Sequence, residues 1–296
     1  MATGNKHIAD QVYLSQNALD KGLRPDLSEQ YSLSIQLSPD GFSFCIFDAS
    51  RNKYAGLMAY NFPSASPLLL NQIVGSIVKQ NQWLNLNYQQ CSLIYETAVT
   101  TLVPNSLFDE SKIREYLKLN HHIAESDLVK HDYLPLPDAE NIWAIPTDVV
   151  TMLNIHFPNA RVFNHTSTLI ESLLLQNKNR EAEEAVFVNI RKSTFDIVIL
   201  KGNHLLFSNA FQYRTKEDFI YYLIYVLEQL HLNPEKIGLT LMGEIVRISE
   251  IYEVTYKYVR NIAFAARNTD YQFSYVFDEI PNHIYFNLIN IQQCGL

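Results

Sequence analysis

The residues of this chain best placed to do chemistry sit in two short polar turns. One reads Arg191-Lys192-Ser193-Thr194, and its paired cations are of the type that holds phosphate oxygens through side-chain charge. The other reads Ser38-Pro39-Asp40-Gly41, in which Asp40 offers a carboxylate to a hard cation. Each turn also has an ordinary reading: a solvated hairpin tip carrying two basic residues, and Pro-Asp-Gly as favourable turn chemistry. His121, His122 and His131 form a histidine cluster without H-E-x-x-H or a cysteine–histidine ligand spacing. Surface histidines are expected there rather than a metal site. G-x-S-x-G, the P-loop and G-x-G-x-x-G are absent, which removes support for serine-hydrolase and P-loop chemistry. Glycine is scarce, 9 in 296 residues against an average usage of about 7%, and backbone cradles for phosphate depend on it.

Both turns are held by hairpins that can be laid over one another. Leu33-Ser34-Ile35-Gln36-Leu37 and Phe42-Ser43-Phe44-Cys45-Ile46-Phe47 flank the first turn. Val186-Phe187-Val188-Asn189-Ile190 and Phe195-Asp196-Ile197-Val198-Ile199-Leu200 flank the second, at a constant offset of 153 that sets Gln36 opposite Asn189. Largely alternating apolar arms joined by short polar turns predict hairpins. A third strand follows in each half, over 54–62 and 204–211, and then a helix. Ser66-Pro67 supplies an N-cap and first helical residue for one helix; Thr215 with Asp218 makes a capping box for the other. Downstream, Leu84-Asn85-Leu86-Asn87 aligns with Leu230-His231-Leu232-Asn233, and Cys91-Ser92-Leu93 with Ile237-Gly238-Leu239, at an offset of 146. Each half thus reads strand, strand, strand, helix, strand: an internal duplication. Further helices are expected over 109–119, 147–157, 167–176 and 245–260 and near the end. Residues 133–145 read as extended and proline-broken, 160–163 and 273–277 as short strands.

A β-β-β-α-β-α unit occurring twice, each copy opened by a hairpin, resembles the superfamily of actin, the heat-shock ATPase chaperones and the sugar kinases. Where the heat-shock chaperones have Asp-Leu-Gly-Gly-Gly-Thr-Phe-Asp, this chain has Asn189-Ile190-Arg191-Lys192-Ser193-Thr194-Phe195-Asp196. The pattern is also similar to actin-like cytoplasmic proteins of pilus and secretion-system assembly. Over roughly residues 31–290 the chain resembles an uncharacterised bacterial family with an actin-like ATPase fold. The resemblance implies an α/β, duplicated ribonuclease H-like (actin-like ATPase) two-lobed fold, with mixed sheets and flanking helices.

The departures from that pattern bear on chemistry. The superfamily aspartate that organises magnesium and the attacking water is matched by Gln36, and the second-hairpin aspartate by Asn189. Both amides keep some hydrogen-bonding capacity and lose the charge a hard cation needs. Ser38, Arg191, Lys192 and Ser193 stand at the phosphate-binding glycines, where a Cβ fills the approach path. The adenosine-seating glycine pair corresponds to Met242-Gly243, with Met242 expected to project into the nucleotide's space. Gln36, Ser38, Asn189, Arg191, Lys192, Thr194 and Gly243 are therefore expected to mark a vestigial cleft, with no cofactor and no metal. Asp196 matches the motif's second aspartate, but alternation puts it on the solvent side of its strand.

Length allows two lobes with separate cores, and 47% hydrophobic and 18% charged residues describe an ordinary globular chain. A net charge of −8 argues against a nucleic-acid groove or an anionic membrane as the main partner. No segment reaches the ~18 unbroken apolar residues of a membrane span, and residues 1–30 lack the apolar core of a signal peptide. Three unclustered cysteines, Cys45, Cys91 and Cys294, fit a reducing compartment, so a cytoplasmic location is expected. The expected organisation is an extension over 1–30, a first lobe over 31–182 and a second over 183–296, divided in the polar run 177–184. The helix over 215–230 carries a stripe of Phe219, Tyr222, Leu223, Val226 and Leu230, with Ile220, Tyr221, Ile224 and Tyr225 continuing around it. Such a helix is either buried on both sides or offers a protein contact, through Tyr221, Ile224 and Tyr225. The function expected is a non-catalytic actin-like protein contacting a protein partner or itself, as a homodimer. The alternatives are a divergent nucleotide-binding ATPase or kinase with Arg191 and Lys192 on the phosphates, and a cytoplasmic adaptor in an envelope assembly system.

Overall fold

The computed structural model describes residues 12–178 and 183–294. Its first element, β1 (Tyr13–Leu19), lies within the expected extension, and β2 (Tyr31–Ser38) and β3 (Gly41–Asp48) form the first hairpin. β4 (Lys53–Asn61), α1 (Pro67–Gln80) and β5 (Gln90–Tyr95) follow. A separate antiparallel sheet comes next, made of β6 (Thr100–Pro104), β7 (Leu128–Leu134) and β8 (Ala139–Ile145), with the short α2 (Ile113–Lys118) against it. The first half ends with α3 (Thr147–His156), β9 (Arg161–Asn164) and α4 (His165–Asn177). The second half runs β10 (Glu184–Ile190), β11 (Thr194–Lys201), β12 (His204–Gln212), α5 (Lys216–Gln229), β13 (Gly238–Gly243), α6 (Glu250–Tyr258) and β14 (Asn261–Phe264). β15 (Gln272–Phe273) and α7 (Phe286–Asn290) close the chain.

The two large sheets share one plan. The first has the order β1-β4-β3-β2-β5-β9 with β15 also on β4, and the second the order β12-β11-β10-β13-β14. From β4 to β9 and from β12 to β14 the order and the sense of every pairing coincide: hairpin and third strand antiparallel, later strands parallel. Gln36 pairs with Ser43 and Asn189 with Asp196, as the 153 offset requires. The third strand even bulges at the same place, after Ile46 and after Ile199. The parallel strands correct the sequence alignment. Leu33 pairs with Cys91 and Val186 with Leu239, so β5 and β13 correspond at 148 rather than 146. A slip of two residues preserves the face of a strand, so the apolar pattern alone could not detect it.

Caps set several boundaries. Pro67 occupies the first turn of α1 after Ser66, and Thr215 and Asp218 form a reciprocal capping box on α5. Asn164 accepts the Thr166 N–H and starts α4 two residues earlier than expected. Ser249 caps α6, shortening the helix expected over 245–260, while 273–277 is mostly a tight turn. Part of the expected lobe boundary, 179–182, falls outside the described residues.

Each sheet is packed on both faces. Ile35, Phe44 and Leu93 pack with Val74, Ile77 and Met152 beneath α1 and α3; Val188, Ile197 and Leu241 pack with Phe219, Leu223 and Leu227 of α5. The opposite faces are covered by exchange. Leu169 and Leu173 of α4, from the first half, pack on Phe187, Val198 and Met242 of the second sheet. Phe277, Leu288 and Ile289, from the end of the chain, pack on Cys45, Tyr54 and Leu57 of the first sheet. Within residues 272–294, Phe277, Leu288 and Ile289 thus lie against the first sheet, while His283 and Phe286 reach the second.

Candidate functional site

The strand ends of the two sheets meet at the centre of the molecule. Leu37 O accepts the Glu96 N–H (2.9 Å), and Ile190 O accepts the Glu244 N–H (2.7 Å). The two glutamates therefore occupy equivalent places, one residue beyond β5 and β13. Neither was singled out by sequence reading, because the 146 offset set them out of step. At 148, Leu93-Ile94-Tyr95-Glu96 lies over Leu241-Met242-Gly243-Glu244, and the signal is a carboxylate directly after each parallel strand.

Arg191 spans the space between the halves. Its guanidinium donates to Asp196 Oδ1 at 2.9 Å and lies 3.8 Å from Glu96 Oε2. Asn189 Nδ2 donates to Asp196 Oδ2 (3.0 Å), His165 Nε2 donates to Asp196 Oδ1 (3.1 Å), and Gln36 Nε2 donates to Glu96 Oε1. The His165 donor is assigned from its carboxylate acceptor. At the rim, Lys192 and Asp40 of the facing hairpins lie 3.7 Å apart.

These contacts overturn two expectations. Asp196 is not solvent-facing: its side chain is 1% exposed. Residues 195–200 of β11 are all buried, because α4 covers the face that alternation would have left to water. Arg191 is not a solvated tip either, at 13% exposed, whereas Lys192 at 61% is. Met242 is also corrected. It points away from the cleft into the core formed with Leu169 and Phe286.

The remaining expected positions are accounted for locally. Ser38 Oγ donates to Asp40 Oδ1 at 2.9 Å, closing its own turn. The Thr194 carbonyl accepts the Arg191 N–H (2.9 Å). Gly243 has φ +84°, and a Cβ there would stand 2.1 Å from Ile190 O, so glycine is demanded by the close approach of β10 and β13. The histidines make separate contacts. His121 Nε2 is bonded to Thr100 O, His131 Nδ1 donates to Glu140 Oε2, and His122 is exposed. Among the described residues no group of three or more His, Cys, Asp or Glu is placed to hold a metal ion.

The electrostatics follow from burial. Removal from water pushes Glu96 up to about 7, against the pull of Arg191, with Glu244 and Asp196 adding to the rise. Glu244 is raised mainly by burial and then by Asp40. Burial works upward on Asp196 too, but Arg191 and then His165 outweigh it and hold the carboxyl well below its usual range. His165 is lowered by burial and by Arg191, against the pull of Asp196. A partly open space between the strand ends, lined by Gln36, Glu96, Asn189, Arg191, Gly243 and Glu244, leaves about 70 Å³ accessible to water. That is room for a few waters.

Residues 20–262 match the model of a family described as protein of unknown function (DUF3822). No curated protein matches the chain. A solved Bacteroides thetaiotaomicron protein with actin-like ATPase fold and unknown function is 27% identical, with a TM-score of 0.75 over 84% of this chain and 96% of that one. A chain of the PilM–PilN type IV pilus biogenesis complex is 10% identical, with a TM-score of 0.57 over 88% of this chain and 98% of that one. The actin-like ATPase fold is thereby shown.

Proposed function

Because the chain belongs to the DUF3822 family of proteins of unknown function, its role is read from its own cleft, and we propose a non-catalytic actin-like protein that works through protein contacts. One observation carries this reading. Arg191, at a position the resemblance assigns to a phosphate-binding glycine, has its guanidinium directed to Asp196 and Glu96. Gln36 and Asn189 are engaged on Glu96 and Asp196, and the turn carboxylate Asp40 is taken up by Ser38 and Lys192, which disfavours magnesium at either hairpin. What the fold retains is two lobes joined by internal ion pairs.

Other features support the same reading. The common strand order, pairing sense and bulge position favour an internal duplication of one unit, giving lobes near 31–182 and 183–296. Tyr221 and Tyr225 stand 62% and 47% exposed on α5, with Ile224 half-buried beside them, which suits a contact face. The PilM–PilN neighbour belongs to a pilus biogenesis complex, which suits a reading in which this fold works beside a protein partner. The free Cys45, Cys91 and Cys294 favour a reducing, cytoplasmic setting.

Calorimetric titration with magnesium-ATP tests the proposal. The expected result is no saturable heat at millimolar nucleotide and no hydrolysis above background. A saturable heat would overturn it in favour of a nucleotide-binding ATPase or kinase.

A further inference from the structure

The two sheets differ at one edge. β4 is paired antiparallel with β1 along Gly56 to Asn61, and the Ala59 carbonyl also accepts the Ser15 hydroxyl from that strand (3.1 Å). The counterpart of β4 is β12: Ala59 pairs with Ser43, and Ala210 with Asp196, at matching registers. β12 ends its sheet, and among the described residues β11 is its only strand partner. By this correspondence the outward N–H groups of β12 include that of Ala210, which is met by the Oδ1 of its own neighbour Asn209 at 2.9 Å. The bulge at Leu206 turns the start of the strand aside, leaving Phe207 to Gln212 as the segment equivalent to the paired part of β4.

An aromatic shelf flanks this edge. Phe211 of β12 stacks on Tyr222 of α5 (5.1 Å between ring centres), Tyr222 meets Tyr221 edge-on (5.3 Å), and Tyr221 stacks on Tyr225 (6.2 Å). From His204 to Tyr213 the sequence holds no Asp, Glu, Lys or Arg. Open edges in monomers are ordinarily blunted by charge, proline or a bulge; here the bulge turns only the start of β12, and residues 207–212 hold neither charge nor proline.

We infer that β12 is where a second copy of this chain adds its own β12, antiparallel, joining two five-stranded sheets across a two-fold axis beside the tyrosine shelves. The occupant follows from three features of the molecule. Its own β1 shows that this type of edge takes an antiparallel strand. An antiparallel pair of identical strands is self-complementary under two-fold symmetry, the commonest closed assembly. In a chain of net charge −8, an uncharged segment lets identical copies meet without opposed like charges.

The inference rests on the contact-protein reading, and its test reads association alone. Light scattering of the full chain up to about 1 mM should give a dimer. Asn209→Lys and Asn209→Glu, at an exposed edge position, should each be monomeric with unchanged circular dichroism and melting temperature. Mixing the two variants should restore a dimer, because Lys then faces Glu across or diagonal to the seam. A wild-type monomer at that concentration overturns the inference, whether or not another protein occupies the edge. So does a dimer that both variants leave intact. Neither result touches the reading of the cleft, which nucleotide binding would refute.

Discussion

Asp196 organises the cleft because it collects donors from three directions: Arg191 from its own hairpin turn, Asn189 across the ladder, and His165 from the start of α4. Asp196→Ala strands the Arg191 charge away from water, and breaking a buried pair costs about 3–5 kcal/mol. Denaturant unfolding should show a loss of that size, and a loss under about 1 kcal/mol would mean the pair is not closed in solution. Glu96 makes a pH-dependent contribution. Its folded value of about 7 lies above the ordinary 4.5, so between these values the folded protein holds a proton that the unfolded chain has released. The associated stability is present below the window and falls as pH rises through it, by on the order of 3 kcal/mol. Asp196 acts in the opposite sense: its ionised form stabilises the fold, and that is lost as pH falls below its ordinary 3.8. Glu96→Gln should flatten the decline in melting temperature between about pH 5 and 8. Identical pH profiles for variant and wild type would refute the burial of its proton.

At the scale of elements, α5 divides its apolar residues more sharply than its sequence does. Phe219, Ile220, Leu223, Val226 and Leu227 dock on the second sheet, and Ile224 is half-buried against the same core. Tyr221 and Tyr225 are left to solvent. Replacing both tyrosines with glutamate removes no core contact, so stability should change by no more than about 0.5 kcal/mol for each. Analytical ultracentrifugation of this double variant should show weakened self-association; a substantial loss of melting temperature would instead assign the tyrosines to the core. The helix boundaries illustrate what local sequence can fix. Pro67 and the Thr215–Asp218 box were legible because a cap is a contact between near neighbours in the chain. The start of α4 at His165 was missed, although Asn164 is an ordinary capping residue.

At the scale of the whole molecule, the halves are interlocked by exchange of covering elements. α4 roofs the second sheet, and Phe277, Ile280, Leu288 and Ile289 near the end of the described residues roof the first. Cys45 is fully buried beneath that second roof, and burial raises its thiol well above the ordinary range. Deleting residues from 272 onward should therefore abolish cooperative unfolding and make Cys45 react rapidly with a thiol reagent. A truncated chain that still melts cooperatively with Cys45 protected would show that the roof is dispensable. The sequence by itself determined the repeated hairpins, the third strands and the helices after them. Its resemblance to the actin superfamily implied the overall plan and set the amides of Gln36 and Asn189 against that superfamily's aspartates. The elements follow from alternation, caps and residue identity, all of which act over a few positions. Only the tertiary structure decided that Arg191 lies inside the cleft, that Asp196 is buried, that Met242 turns away, and that Glu96 and Glu244 face the same space. Those outcomes depend on which distant element covers a strand's second face and on a register that slips by two without changing the apolar pattern.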